Sequence, residues 1–160
     1  TGHLVFTTLH TNDAASSFTR LIDMGVEPFL IASTVLCTVA QRLVRKLCYD
    51  CREAFNPSDV DLELLGMPRS QVPAGATFYR AGGCPECAQT GYAGRVGIYE
   101  ALEVSDEVRK LILEKVDAQT IKQAALRAGM RTLRHDGAEK VTQGKTTIEE
   151  VLRVTHQDAD

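Results

Sequence analysis

Four of the five cysteines form two C-x2-C pairs, Cys48 with Cys51 and Cys84 with Cys87. Each pair can hold one tetrahedral ion with two thiolates, and two pairs complete a four-sulfur site without an open coordination position. The pattern predicts a structural zinc, with iron in the same cage and disulfides or free thiols as the alternatives. A closed site performs no hydrolysis, so we expect it to hold the surrounding loops together.

A Gly-Lys-Thr triplet at residues 144–146 matches the end of the phosphate-binding loop of many ATPases. That loop needs G-x4-G-K-[ST], because four intervening residues let backbone N–H groups curl around the phosphates. Glu139 stands where the first glycine is required, and the residues before the triplet follow a helical period. We therefore predict that Gly144 ends a helix and that Thr147 and Glu150 form the capping box of the next one.

Two histidines, His3 and His10, lie in the opening segment "TGHLVFTTLHTND". The β-branched and apolar residues there predict a buried strand. An odd spacing along a strand places the two side chains on opposite faces, so a shared metal ion is not expected. Thr8 and His10 share a face at the strand end, where α/β domains place ligands. On spacing alone, His10 is interpreted as a structural histidine.

Length and charge restrict the classes of protein that fit. A chain of 160 residues is long enough for one ordinary domain or two small ones. With 18 basic and 21 acidic residues, it has no general attraction to nucleic acid or anionic lipid. The longest mostly apolar run, residues 29–40, is too short to span a bilayer. The chain opens without Met or a signal peptide, so we expect that it is cut from a longer protein.

Residues 1–47 are predicted to form a strand, two helices and a second strand, as at the end of an α/β domain. Asn12 and Asp13 offer caps for the first helix, and Gly25 ends it. The second helix is predicted to begin at Pro28 and to run through "FLIASTVLCTVA". Cys37 lies within this run and is interpreted as a small buried hydrophobic residue.

The texture of the sequence changes over residues 48–97, which are rich in Cys, Gly and Pro and contain one short helix between Ser58 and Gly66. This stretch cannot bury enough apolar surface to fold alone, so we expect it to need a cross-link such as a metal ion. Residues 98–160 begin with a strand and continue with four helical patterns, of which Ser105 and Asp117 cap the first two. These boundaries predict three segments.

Several motifs together resemble the C-terminal part of the type II secretion and type IV pilus assembly ATPases. They are "TGHLVFTTLHTNDAASSFTRLIDMGVEPF", "AQRLVRKLC", the two C-x2-C pairs, "GYAGRVGIYEAL" and "GMRTLRHDGAEKVTQGKTTIEEVLRVT". The resemblance implies an α/β fold in three parts. Residues 1–47 would be the C-terminal part of a RecA-like NTPase domain, 48–97 a four-cysteine zinc module, and 98–160 a small mainly helical C-terminal domain. Retraction motors generally lack the four cysteines, which favours the secretion or assembly branch.

The resemblance also implies roles for four residues. His3 and His10 fall in the family's His box, whose histidines approach the terminal phosphate of the nucleotide and the neighbouring subunit, so both are candidate catalytic residues. Arg42 and Arg45 are candidate contacts to phosphate or to an adjacent subunit, although solvated charges packed beside the core are the simpler interpretation. The expected cofactors are structural Zn²⁺ here and ATP with Mg²⁺ in the parent protein.

The implied parent is a cytoplasmic homo-hexamer that hydrolyses ATP to drive type II protein secretion or type IV pilus assembly. Its implied partners are the inner-membrane platform and adaptor proteins of the machine, which would hold it at the inner membrane, and no nucleic acid is expected. The phosphate loop and the Walker B carboxylate are expected upstream of Thr1, so this chain alone is expected to be inactive.

Two functions of other classes fit the cysteines less well. A zinc-ribbon module that is structural or binds nucleic acid would want basic residues around the metal, yet acidic side chains outnumber basic ones in residues 48–97. A thiol redox protein can be built on a single C-x2-C pair, whereas two pairs favour metal. Measuring bound zinc against free thiols separates these interpretations.

Overall fold

A computed structural model describes residues 2–155 as a mixture of helices and short sheets. The helices are α1 (Ser16–Asp23), α2 (Pro28–Thr34), α3 (Asp59–Leu64), α4 (Asp106–Leu113), α5 (Ala118–Arg127), α6 (Leu133–Thr142) and α7 (Ile148–Val154). The strands are β1 (Cys37–Leu47), β2 (Glu53–Phe55), β3 (Phe78–Arg80) and β4 (Tyr92–Glu103). Single 3-10 turns span Arg69–Gln71 and Pro85–Cys87.

The strands form two small sheets. β1 is hydrogen-bonded to β4 in one of them. In the other, β2 pairs antiparallel with β3, so that Glu53 lies opposite Arg80 and Phe55 opposite Phe78. Glu53 and Arg80 form an ion pair of 2.8 Å across this ladder, an arrangement that favours the observed register.

The described chain divides into two compact units. Unit 1 contains residues 2–40 and Ala101–Met130, and unit 2 contains Gln41–Glu100 and residues 131–155. Helices α4 and α5 therefore belong to unit 1, and helices α6 and α7 to unit 2. The three predicted segments, 1–47, 48–97 and 98–160, stay a prediction.

The core of unit 1 contains residues from both of its sequence ranges. Helix α2 packs on α4, α4 packs on α5, and α5 contacts α1. Its fully buried side chains include Phe18, Ile31, Leu102, Ile112 and Ile121. The guanidinium of Arg109 donates to the carbonyl of Ala32 at 3.2 Å, which fixes α4 against α2.

Unit 2 has a separate apolar cluster between α3, α6 and α7. Its buried members are Leu62, Leu65, Phe78, Ala138, Val141, Ile148 and Val151. Helix α6 approaches α7 closely because Gly137 has no side chain where it faces Val151. Among the described residues, no helix is long and apolar enough to cross a membrane.

Several of the predicted helix ends are confirmed. Ser58, Ser105 and Asp117 each accept an N–H from the first turn of the helix that follows, at 3.2, 3.3 and 2.9 Å. A residue in the left-handed region follows the C-cap of α1, α3, α4, α5 and α6. It is glycine in four of these helices and Lys115, with φ 55°, after α4. The local chemistry of this chain therefore determines most helix ends.

Two elements of the first segment were predicted wrongly. No strand forms between residues 3 and 9, where the described chain is irregular and Leu4, Val5 and Phe6 are 70, 76 and 88% exposed. A strand requires hydrogen bonds from a neighbouring strand, and this segment makes none with another described strand.

Helix α2 is also shorter than predicted. It ends at Thr34, and the residues that follow enter strand β1 instead of continuing the helix. Cys37 is consequently the first residue of a strand and is exposed, so the prediction that it is buried in a helix is wrong. Pairing with β4 overrides the weak helix propensity of a run that contains Ser, Thr and Val.

Candidate functional site

The two C-x2-C pairs come together in unit 2, and the four sulfur atoms all lie within 4.8 Å of one another. The Sγ atoms are separated by 3.8 Å for Cys48 and Cys84, 3.8 Å for Cys51 and Cys87, and 3.6 Å for Cys84 and Cys87. A tetrahedral ion with sulfur ligands at about 2.3 Å would place the sulfurs about 3.8 Å apart. The same distances exclude disulfides, whose S–S bond is about 2.05 Å. The four residues can therefore hold one tetrahedral ion.

Regular elements and tight turns place the four sulfurs. Cys48 follows the end of β1, and its N–H donates to the carbonyl of Gly91 at 3.0 Å, which joins the first pair to the segment after the second. Cys84 precedes a single 3-10 turn and Cys87 is its last residue, and the N–H of Gln89 donates to the carbonyl of Cys84 at 2.9 Å.

Backbone N–H groups point at one of the sulfurs. The N–H groups of Cys84 and Gly91 donate to Cys87 Sγ at 3.4 and 3.1 Å. Burial opposes ionisation of Cys87, but these two donors outweigh it and lower the pKa of its thiol to about 6. Burial and hydrogen bonds with the neighbouring sulfurs instead raise the pKa of Cys51 to about 12. Cys87 therefore ionises more readily than Cys51, and a bound cation would stabilise all four residues as thiolates.

Glycines allow the backbone to close around the cluster. A Cβ at Gly82 would lie 2.1 Å from the carbonyl oxygen of Cys51. Gly91 has φ +75°, and a Cβ there would lie 2.6 Å from the carbonyl oxygen of Gly82. Only glycine fits either position, because space is restricted at Gly82 and both the space and the backbone angle are restricted at Gly91.

The Gly-Lys-Thr triplet is the end of α6, as predicted. The N–H of Gly144 donates to the carbonyl of Val141 at 2.9 Å, and the N–H of Lys145 to that of Lys140 at 3.0 Å. Gly144 has φ +67°, which completes a Schellman motif. A phosphate loop binds phosphate through backbone N–H groups that have no partner within the protein. Here the N–H groups of Gly144 and Lys145 both donate to carbonyls of α6. This turn is therefore not a phosphate site.

The two histidines lie on the irregular segment of unit 1, and both are exposed. The structure does not place their side chains together in a site. The turn that follows His10 is held firmly: Thr11 Oγ1 donates to the carbonyl of Asp13 at 3.1 Å and lies 3.2 Å from Ser17 Oγ. Asp13 Oδ1 accepts the N–H of Ser16 at 2.8 Å, at the start of α1.

Arg45 is engaged within unit 2, whereas Arg42 donates to the carbonyl of its neighbour Gln41 at 3.2 Å. The guanidinium of Arg45 donates to Glu150 Oε1 at 2.6 Å and lies 4.1 Å from the centre of the Tyr92 ring. One half of the predicted capping box is present, because Thr147 Oγ1 accepts the N–H of Glu150 at 3.2 Å. The other half was predicted wrongly, since the carboxylate of Glu150 turns to Arg45 instead of to the helix start.

Comparison with known proteins gives one result over nearly the whole chain. Residues 1–153 match the family described as type II/IV secretion system protein. This chain belongs to that family.

Three relatives illustrate the range of this secretion family. The chain is 48% identical to type II secretion system protein E of Pseudomonas aeruginosa, to type IV pilus assembly ATPase PilB of Thermus thermophilus and to type II secretion system ATPase E of Vibrio cholerae. The matches cover 99, 97 and 98% of this chain but 31, 17 and 30% of those proteins. The chain thus spans less than a third of the length of these curated relatives.

Arg52, directly after the first cysteine pair, is a further residue that supports the cysteine cluster and that no sequence pattern predicted. The guanidinium of Arg52 lies 4.5 Å from the ring centre of Tyr49 and 4.1 Å from that of Tyr79. It also donates to the carbonyl of Gly144 at 2.7 Å, which ties the first cysteine pair to the end of α6. Its position directly after Cys51 was the only available signal, because its partners are distant in sequence.

Proposed function

We propose that this chain is the C-terminal part of a cytoplasmic hexameric ATPase that powers type II protein secretion or type IV pilus assembly. The observation that carries the proposal is the family match over residues 1–153, together with relatives that are named secretion and pilus assembly ATPases. In this proposal the hexamer acts at the inner membrane through platform and adaptor proteins of the machine.

In the proposed parent, residues 1–47 end a RecA-like domain, 48–97 form the zinc module, and 98–160 form a helical domain. ATP and Mg²⁺ bind to a phosphate loop and a carboxylate outside this chain. The occupied N–H groups of Gly144 and Lys145 support that assignment, since they leave no phosphate cradle at the only Gly-Lys-Thr triplet.

The proposed catalytic residues are His10 and His3, which lie on an exposed segment and are accessible to a nucleotide held elsewhere in the hexamer. A histidine near the γ-phosphate would donate a hydrogen bond to charge that develops in the transition state. Arg42 and Arg45 are proposed to approach phosphate or the adjacent subunit. Arg45 would do so from the side of its guanidinium that does not face Glu150.

The proposed metal is Zn²⁺ held by Cys48, Cys51, Cys84 and Cys87. When bound, it supplies the charge that stabilises four thiolates at once, and it contributes folding free energy on the order of 10 kcal/mol. The four-sulfur set has no open position for water or substrate, so the proposed role is structural.

The full-length parent tests the proposed activity. We expect it to hydrolyse ATP steadily, and we expect His10→Ala to lower kcat by roughly 10²-fold with a much smaller change in KM for ATP. Lys145→Ala is the matched control and should leave both parameters near wild type, because that lysine belongs to a helix end. The 160-residue chain alone should be inactive.

Three results would contradict these assignments. A purified parent without ATPase activity would reject the proposed function. Equal turnover in His10→Ala and the wild type would return His10 to a structural role. Hydrolysis by the isolated chain that disappears in Lys145→Ala would mean that the active site lies at the triplet after all.

A further inference from the structure

Unit 1 contains an ion pair between the turn after His10 and a helix that is distant in sequence. Lys122 Nζ lies 3.4 Å from Asp13 Oδ2, and the two residues are 109 positions apart. Their side chains are only 10 and 16% exposed. Removing one member of a buried ion pair is destabilising, because the remaining charge loses part of its compensation.

The helix that carries the lysine is firmly anchored. Ile121, Ala124 and Ala125 of α5 are buried in the core of unit 1, and α5 contacts both α1 and α4. The ammonium of Lys122 is therefore presented from a fixed element. By contrast, His10 lies on an exposed segment that belongs to no helix or strand.

The aspartate links this fixed point to the histidine segment. One carboxylate oxygen of Asp13 accepts the N–H of Ser16 at 2.8 Å, while the other faces Lys122. The carbonyl of Asp13 accepts from Thr11, the residue directly after His10. The main chain leaving His10 is thus held to α1 on one side and to α5 on the other.

We propose that Lys122 is a positioning residue for His10. This inference rests on the proposed function, in which His10 meets the nucleotide. Lys122 does not touch the reacting atoms. It holds the carboxylate of Asp13, and Asp13 in turn holds the turn at Thr11. This turn sets the position from which the side chain of His10 extends. Small displacements of a positioned group can lower a rate substantially, because catalysis depends on geometry in the transition state.

The experiment is a set of variants in the full-length parent, measured by steady-state ATP hydrolysis. We expect Lys122→Met to lower kcat on the order of 10-fold while KM for ATP changes less than about twofold. Lys122→Arg keeps the charge and should restore much of the loss. Lys110→Met is the control, since it removes an α4 lysine whose side chain is 76% exposed.

The decisive comparison combines Lys122→Met with His10→Ala. If the lysine acts through the histidine, it has little further effect once the histidine is gone, so the two losses are not additive. Independent, multiplied losses would overturn the proposal, as would wild-type kcat in folded Lys122→Met. If Lys122→Met does not fold, Lys122→Gln and Lys122→Arg are compared in the same way, with the same criterion.

A measurement without ATP separates this inference from the proposed function. Hydrogen exchange of the Ser16 amide should be faster in Lys122→Met than in Lys110→Met. Asp13, which accepts this amide N–H, loses its ion pair with the lysine in the first variant only. Unchanged exchange would reject the positioning role even in an active parent. Faster exchange in a parent without ATPase activity would instead reject the proposed function and leave the structural link in place.

Discussion

Glu150 accepts both the backbone N–H and the guanidinium of Arg45, at 2.9 and 2.6 Å, although the two residues are 105 positions apart. Arg153 adds two further hydrogen bonds to the same carboxylate, at 3.1 and 2.9 Å. The side chain of Glu150 is 2% exposed. A single buried carboxylate thus joins the end of β1 to α7 within unit 2, and its charge is compensated by both arginines.

This carboxylate predicts a pH dependence of stability. Burial opposes its ionisation, but hydrogen bonds from Arg153 and Arg45 outweigh burial and lower the pKa of Glu150 from 4.5 to about 2. A carboxyl group whose pKa is lower in the folded state than in the unfolded state stabilises the folded protein at pH values above its unfolded-state pKa. We therefore expect a contribution of about 3 kcal/mol above pH 4.5 that is lost as the pH falls towards 2.

Urea unfolding at several pH values measures this effect. Glu150→Gln should be less stable than the wild type at pH 7, and the difference should shrink between pH 4.5 and 2. The exposed neighbour Glu149 supplies the control, and Glu149→Gln should follow the wild-type curve. A constant difference between wild type and Glu150→Gln across this range would refute the linkage.

The cysteine cluster predicts about one zinc per chain in freshly purified, reduced protein. Cys84→Ser should lose the metal and lower the melting temperature, because the loops around the site then lack their staple. Cys37→Ser should keep it, since Cys37 begins β1 and is not among the four clustered sulfurs. Metal analysis and thermal unfolding are the measurements, and a metal-free wild type would reject the zinc assignment.

Gly137 predicts a substitution that runs against helix propensity. Alanine usually stabilises a helix interior relative to glycine by about 1 kcal/mol. Here a Cβ would lie 2.5 and 3.0 Å from the two methyl carbons of Val151, so Gly137→Ala should instead cost roughly 1–3 kcal/mol. In a Val151→Ala background the same change should be neutral or stabilising. Chemical denaturation of the wild type, the two single variants and the double variant measures the free energies of unfolding. An equal loss of stability from Gly137→Ala in both backgrounds would contradict the packing argument.

Lys115 predicts a stabilising substitution. Its φ of 55° lies in the left-handed region, and it occupies the place that glycine takes after α1, α3, α5 and α6. Its N–H still closes α4 by donating to the carbonyl of Ile112 at 3.1 Å. Lys115→Gly should therefore raise the free energy of unfolding by about 1 kcal/mol. Lys115→Ala removes the side chain but keeps the Cβ, and it should give no such gain. A gain of equal size in both variants would point to charge removal instead of backbone strain.

Local sequence chemistry determined much of this molecule. The two C-x2-C spacings predicted a cluster that the structure contains, because a pair of cysteines two residues apart can turn both sulfurs to one point. Side-chain oxygens and glycines predicted the ends of helices, since capping involves residues only a few positions apart. The same local argument correctly excluded a phosphate loop at residues 144–146.

Tertiary structure alone decided the features that depend on distant partners. Hydrogen bonding with β4 turned residues after Thr34 into a strand and exposed Cys37, whereas residues 3–9 formed no strand because a strand needs a neighbour to supply its hydrogen bonds. The pairs Arg45 with Glu150 and Lys122 with Asp13 left no periodic signal, because each joins elements more than one hundred positions apart. Their geometry arises only when the chain brings buried, opposite charges together, where burial without a partner would be costly.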